Sequence, residues 1–123
     1  MELKQVKAKI KIKGEEKEAW FDTGATLSVM PKELALKFGD YLEYPAEDQF
    51  EVVTAKKGAK VRIIGECSVS PEIAGCKIPR TTFKVSEDVE GIIIGLPEID
   101  SWGIVFTPEG PKPKECPIRM ALI

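Results

Sequence analysis

Four apolar residues, Val6, Ala8, Ile10 and Ile12, alternate without a break with Lys7, Lys9, Lys11 and Lys13. Period two is the repeat of a β-strand, so the pattern predicts a strand with one face in the core and a lysine face in water. A helix is excluded, because a 3.6-residue repeat would scatter the same apolar groups around its whole circumference. The lysine row reads as a solvated face that resists edge-to-edge aggregation. A nucleic-acid stripe is the weaker reading, since 18 Lys+Arg against 20 Asp+Glu leave a net charge of −2.

Gly14-Glu15-Glu16 has the composition of a turn, and Lys17 to Phe21 resumes as a second strand. The resulting hairpin runs straight into Asp22-Thr23-Gly24-Ala25. Beyond it, Pro31 suits the first turn of a helix, Lys32–Phe38 is rich in helix formers and Gly39 is a natural stop. Tyr41 to Asp48 holds Pro45 and no periodicity, which predicts a loop. Phe50–Thr54 and Lys60–Ile64 are β-rich and flank Ala55-Lys56-Lys57-Gly58-Ala59, a protruding hairpin with Gly58 at its tip. Short strands follow near Cys67–Ser70 and Cys76–Val85, separated by Pro71 and Gly75. Ile92-Ile93-Ile94-Gly95 is fully apolar and predicts a buried central strand. Pro97 opens a short helix, Glu98–Trp102, and Ile104–Phe106 is a further strand. Thr107–Pro117, with four prolines and Gly110, reads as a linker to a last apolar segment, Ile118–Ile123.

The sum is an all-β barrel or sandwich with one or two short helices, and 123 residues make one domain. No apolar run approaches the roughly 20 residues of a membrane span, and the N-terminus lacks the apolar stretch of a signal peptide. No membrane or nucleic-acid partner is expected. The absence of His excludes a Ser-His-Asp triad, a Cys-His pair and the common histidine metal sites. Three cysteines, Cys67, Cys76 and Cys116, make a poor disulfide framework and a poor zinc motif. They are expected to be reduced, buried thiols in the cytoplasm, with a Cys67–Cys76 bridge across a hairpin as the lesser alternative. A metal site built on Asp22 and the cysteines lacks ligands at motif spacing, and no cofactor is expected. Charge carried mostly by Lys and Glu, no Asn and only two Gln are the drift of thermophile proteins.

Asp22-Thr23-Gly24 is the one place where chemistry concentrates. Asp, Thr and Gly are ordinary turn residues, so one reading is a strand end whose Asp satisfies backbone donors. The other starts from the setting. An Asp after Ala19-Trp20-Phe21 is held near the core, and Gly24 lets the backbone bend toward a partner.

In this setting the sequence resembles the retropepsin-like aspartic proteases. Phe21-Asp22-Thr23-Gly24-Ala25-Thr26-Leu27-Ser28-Val29 resembles the catalytic loop, and Val53-Thr54-Ala55-Lys56-Lys57-Gly58 the flap. Ile93-Ile94-Gly95 resembles the apolar-apolar-Gly element behind the catalytic Asp, with Leu96–Trp102 as the helix and Ile104–Phe106 as the strand that follow. The motifs occur in family order over about residues 5 to 106. Thr26, Leu96-Pro97 and the lysine-bearing hairpin tip depart from the retroviral pattern, and residues 107–123 extend past it.

The resemblance implies an all-β, single-domain, closed-barrel acid protease fold over residues 1–106. Residues 107–123 would be a Pro-rich linker and C-terminal strand, either at a dimer interface or packed on their own subunit. It implies a homodimeric aspartic endopeptidase acting on peptide or protein substrates, with Asp22 catalytic in each chain. Thr23, Gly24, Ala25 and Ser28 would support the site, and Thr54, Ala55, Lys56, Lys57, Gly58, Ala59 and Lys60 would form the flap. Leu27, Val53, Ile63 and Ile94 are candidate pocket walls, or equally plain core. Leu3–Val6 and Ile118–Ile123 are candidate interface strands. A non-catalytic retropepsin-fold module that dimerises or binds peptides is the competing function.

Overall fold

The computed structural model describes residues 5–54 and 58–116. Residues 1–4, 55–57 and 117–123 lie outside them, and with these the expectations for Leu3, for Ala55, Lys56 and Lys57, and for the C-terminal strand.

The chain is mostly strand. In order it forms β1 (Gln5–Ile12), β2 (Glu15–Asp22), β3 (Val29–Pro31), α1 (Lys32–Phe38), β4 (Asp40–Glu43), a single 3-10 turn (Ala46–Asp48), β5 (Phe50–Val53), β6 (Lys60–Ile63), β7 (Gly65–Val69), β8 (Glu72–Ile73), β9 (Cys76–Lys77), β10 (Thr81–Ser86), β11 (Ile92–Gly95), α2 (Leu96–Ser101), β12 (Ile104–Thr107) and β13 (Gly110–Pro113). Nine strands make one curled, half-barrel sheet in the order β4-β7-β10-β3-β11-β2-β1-β8-β9. The pairs β5-β6 and β12-β13 stand apart from it as hairpins.

The alternation in β1 does what its period requires. Ile10 and Ile12 are buried, Val6 and Ala8 are half-buried, and Lys7, Lys9 and Lys11 are exposed. The lysine face is answered across the hairpin by Glu18, 3.6 Å from Lys7, and Glu16, 3.8 Å from Lys9. Lys7 also lies over the Trp20 ring, 5.5 Å from its centre. The turn is tighter than the composition suggested. Ile12 pairs directly with Glu15, so Lys13-Gly14 alone makes the connection. Both have positive φ, 50° and 82°, the two-residue turn whose twist suits a hairpin. Glu15 and Glu16 belong to β2.

Three further expectations are corrected. Tyr41 to Asp48 is not all loop, because Asp40–Glu43 adds an edge strand to β7. The Pro-rich stretch is not a linker through residue 113. Gly110–Pro113 folds back on Ile104–Thr107, with Phe106 opposite Pro111 and Ile104 opposite Pro113. Residues two apart point their backbone nitrogens the same way, so the two missing N–H donors fall together on one edge, where proline is tolerated. Third, only Cys67 is a free, buried thiol; Cys76 and Cys116 are joined by a disulfide, with Cα atoms 5.3 Å apart. Cys67 cannot reach Cys76 as well, and the chain reversal at Thr107–Gly110 is what brings Cys116 back to β9.

The core lies inside the curl. Phe21, Phe38, Phe83, Ile92 and Ile94 are fully buried there, with Ile99 and Trp102 of the α2 region. Phe83 and Trp102 stack obliquely, 6.3 Å between centres, which seats α2 on the sheet. Phe21 immediately precedes Asp22, so the candidate catalytic residue hangs from a side chain whose truncation would cost about 3–5 kcal/mol. Among the described residues, no helix is long and apolar enough to cross a membrane.

Candidate active site

Three strands set the site. β2 ends at Asp22, and the chain crosses over to return as β3. Between them lies β11, parallel to β2 and antiparallel to β3. The loop of residues 23–28 therefore arches over the end of β11. The parallel register places Gly95 opposite Asp22, and Ile93 is opposite both Trp20 and Val29.

The arch explains the glycine. A Cβ on Gly95 would lie 2.6 Å from the Leu27 carbonyl oxygen and 2.9 Å from that of Ala25, closer than real side chains approach backbone. The contact is used for bonding. The Leu96 amide donates to the Ala25 carbonyl at 2.8 Å, and the Gly95 amide donates to Ser28 Oγ at 2.9 Å. Ser28, buried, then donates its own proton to a carboxylate oxygen of Glu98. Ser28 thus ties the loop to β11 and α2.

Asp22 itself is half-buried. The Gly24 amide donates to its Oδ1 at 2.8 Å, and the Ala25 amide donates to its carbonyl at 3.1 Å. Gln5, opposite Asp22 in the β1-β2 register, brings its side-chain amide to 3.5 Å from Oδ2. One carboxylate oxygen is thus fixed by the loop, and the other faces a weak, exposed donor. Thr23, Gly24, Ala25 and Leu27 are half-buried around it. No other Asp shares this setting. Asp40 pairs with Arg80, Asp88 accepts the Arg62 amide at 2.8 Å, and Asp48 and Asp100 are exposed helix residues.

The β5-β6 hairpin stands beside this arch. Its described end is closed by the Thr54 amide on the Ala59 carbonyl, 2.8 Å, and the Gly58 amide on the Thr54 carbonyl, 3.0 Å. Its root is anchored twice. Arg62 Nε donates to Gln49 at 3.1 Å, and Val61 and Ile63 pack in a small cluster with Val29, Leu27, Val52 and Val89. Leu27 links this cluster to the catalytic-type loop. Gly58, Ala59 and Lys60 are exposed and Thr54 is half-buried.

The four candidate pocket walls separate. Ile63 and Ile94 are fully buried and offer a ligand no surface, so they are core. Val53 is 64% exposed and Leu27 is half-buried, which leaves both accessible. Sequence reasoning missed Glu98 and Gln5. Glu in the first turn of a helix is commonplace as a dipole partner, and nothing in the spacing joins position 98 to position 28. Gln5 was signalled only by hairpin register, which moves by two residues with the position of the turn.

No family model and no curated protein sequence matches this chain. Solved structures do. The retroviral protease-like domain of Ddi1 from Leishmania major superposes with a TM-score of 0.64 at 21% identity, over 88% of this chain and 85% of that one. EIAV protease, complexed with the inhibitor HBY-793, gives a TM-score of 0.61 at 18% identity, over 81% of this chain and 89% of that one. Identities this low speak to architecture, and the architecture agrees with the order of motifs in the sequence: the chain has a retropepsin-like fold.

Proposed function

We propose that this protein is a homodimeric aspartic endopeptidase. The observation that carries the reading is the Asp22 carboxylate. It is held through one oxygen by the Gly24 amide, on a loop braced from behind by β11, and remains partly open to solvent. Aspartic proteolysis needs two carboxyls, one ionised and one protonated, on either side of a water. One chain offers one such group. A two-fold axis between two Asp22 residues supplies the other.

The chemistry follows from that pair. The ionised carboxylate takes a proton from the water as its oxygen attacks the scissile carbonyl carbon. The protonated partner gives its proton to the carbonyl oxygen, forming a tetrahedral diol. The carboxyl that took the water's proton gives it to the diol's nitrogen, its partner takes a proton back from a diol hydroxyl, and the C–N bond breaks, which restores the singly protonated pair. Gly24 keeps the carboxylate oriented, and small Ala25 leaves room for an extended peptide. Thr23 reaches across the axis with its hydroxyl. The Thr54–Lys60 segment closes over the substrate as a flap, hinged at the Val61–Ile63 root. Val53 and Leu27 supply apolar contacts. A cytoplasmic setting is compatible with the Cys76–Cys116 bridge in a thermophile, where intracellular disulfides are common.

The test is cleavage of an unfolded protein substrate at acid pH, with and without a statine-type transition-state mimic, by wild type and Asp22→Asn. Cleavage by wild type alone, blocked by the mimic, is the expected result. Full residual activity in pure Asp22→Asn would sink the reading. A dimer that binds the mimic and never cleaves would be a peptide-binding module instead.

A further inference from the structure

A hydroxyl can donate one proton and accept others, and the direction Ser28 takes is set by its neighbours. The Gly95 amide can only donate, so Ser28 Oγ must accept from it, at 2.9 Å. The Ser28 proton must then go elsewhere, and it goes to Glu98 Oε1. Ser28 is 4% exposed, so water offers it no ready substitute. An ionised acceptor makes the bond charge-assisted, roughly twice as strong as a neutral one. The two partners are 70 residues apart and come from opposite sides of the arch over β11. Glu98 itself is fixed by α2, which Ile99 and Trp102 anchor in the core.

We infer that Glu98 is the positioning residue of the Asp22 loop, acting through Ser28. The loop is pinned near Ala25 by the Leu96 amide, and at its far end by the Lys84 amide on the Ser28 carbonyl, 2.9 Å, and by the Gly95–Ser28–Glu98 chain. Of these, only the tie from Ser28 to Gly95 depends on a side chain. Without an acceptor, the Ser28 hydroxyl is free to rotate, and its lone pair no longer has to face Gly95. Gly95 is the residue opposite Asp22, so slack there reaches the carboxylate directly. Leu96-Pro97 places no side-chain acceptor in the two positions after Gly95, and Glu98 provides one a residue later.

The inference deepens the protease reading and rests on it for its catalytic readout, but not for its structural one. The experiment uses the full chain with Glu98→Ala, Glu98→Gln, Ser28→Ala and the double replacement. Amide hydrogen exchange is followed by NMR, and kcat and KM are measured on a peptide substrate. Glu98→Ala is expected to speed exchange at Gly95 about tenfold or more, while the Phe83 and Val85 amides of the β7-β10 pairing stay unchanged. Its kcat is expected to fall about tenfold to a hundredfold, with KM within about twofold of wild type. Glu98→Gln, whose side-chain oxygen still accepts the hydroxyl proton, restores both to within about threefold. The double replacement should be no worse than Ser28→Ala alone.

Should Glu98→Ala fail to fold, Glu98→Leu, which fills similar space without an acceptor and keeps Ser28, must fold and show the same loss at Gly95. Unchanged protection at Gly95 overturns the inference. So does an increase spread evenly over the sheet, or failure of Gln to rescue. A wild type that never cleaves, yet shows the Gly95 pattern, would defeat the protease reading and leave the positioning role standing.

Discussion

Gly95 faces Asp22 across the parallel β11-β2 pairing, and the loop leaving Asp22 crosses above Gly95 with the Leu27 and Ala25 carbonyl oxygens 2.6 and 2.9 Å from where a Cβ would stand. One residue is therefore both the sheet partner of the candidate catalytic group and the floor beneath its loop. The constraint is space rather than conformation, since its φ of −88° is open to any residue. Both blocking atoms are backbone, which cannot rotate aside as a side chain would.

Gly95→Ala is accordingly expected to push the loop off β11, breaking the Leu96–Ala25 and Gly95–Ser28 bonds. Overpacking of this kind costs about 1–3 kcal/mol, and activity should fall by more than stability does, because the displaced atoms carry Asp22. Urea midpoints and kcat of purified Gly95→Ala check this. Wild-type values for both would show that the arch can lift freely.

How far the sequence reached depended on the range of the interaction. The β1-β2 hairpin was legible because alternation is local, and the motif Asp22-Thr23-Gly24 named its own strand end. The turn was misplaced by composition, because Lys13 takes a positive φ that its residue type does not advertise. Asp40–Glu43 became a strand only because β7 offered it an edge, a tertiary effect. Pro111 and Pro113 spoke against a strand locally, yet a hairpin edge accommodates them. The pairing of Cys76 with Cys116 and of Ser28 with Glu98 spans 40 and 70 residues, and no local pattern encodes such partners.

Thr23→Ala tests the two-fold arrangement. In the proposed dimer its hydroxyl bonds across the axis, and removing it strands buried partners at about 1–3 kcal/mol each. Dimer affinity and activity should weaken together, and wild-type activity should fall faster than linearly on dilution. Sedimentation over a concentration series measures the first, and initial rates measure the second. An unchanged dissociation constant for Thr23→Ala would remove that residue from the axis. A fully active monomer would remove the axis itself.

The Cys76–Cys116 bridge closes a loop of 40 residues between the β8-β9 edge and the chain beyond β13. Restricting the unfolded chain to that extent stabilises a protein by about 2–4 kcal/mol. Chemical denaturation with and without reductant should show a loss of this size, reproduced by Cys116→Ser. Without reductant, the denatured protein should titrate as one thiol, Cys67. Three titratable thiols before reduction would contradict the bridge.

Alkaline pH should destabilise the fold in a window set first by Cys67. Burial, aided by nearby Asp40, pushes its thiol above the ordinary range, against smaller opposite effects of Arg80 and Lys13. In the unfolded chain the thiol ionises near its usual value of about 8.5. The folded state thus holds the proton more tightly. Its contribution is fully present below the unfolded value and is lost as pH rises through the raised one, at up to about 1.4 kcal/mol per pH unit. Tyr41, pushed to about 12 by burial and by its hydrogen bond to Glu43, extends the loss to higher pH, and Tyr44 adds in the same direction. Urea midpoints from pH 7.5 to 10.5 should therefore decline in wild type. Cys67→Ala will be less stable at every pH, since it leaves a gap beside Gly39 and Ala35, but its decline should be shallower between pH 8.5 and 10. Parallel declines in the two proteins would show that the buried thiol is not the group releasing its proton on unfolding.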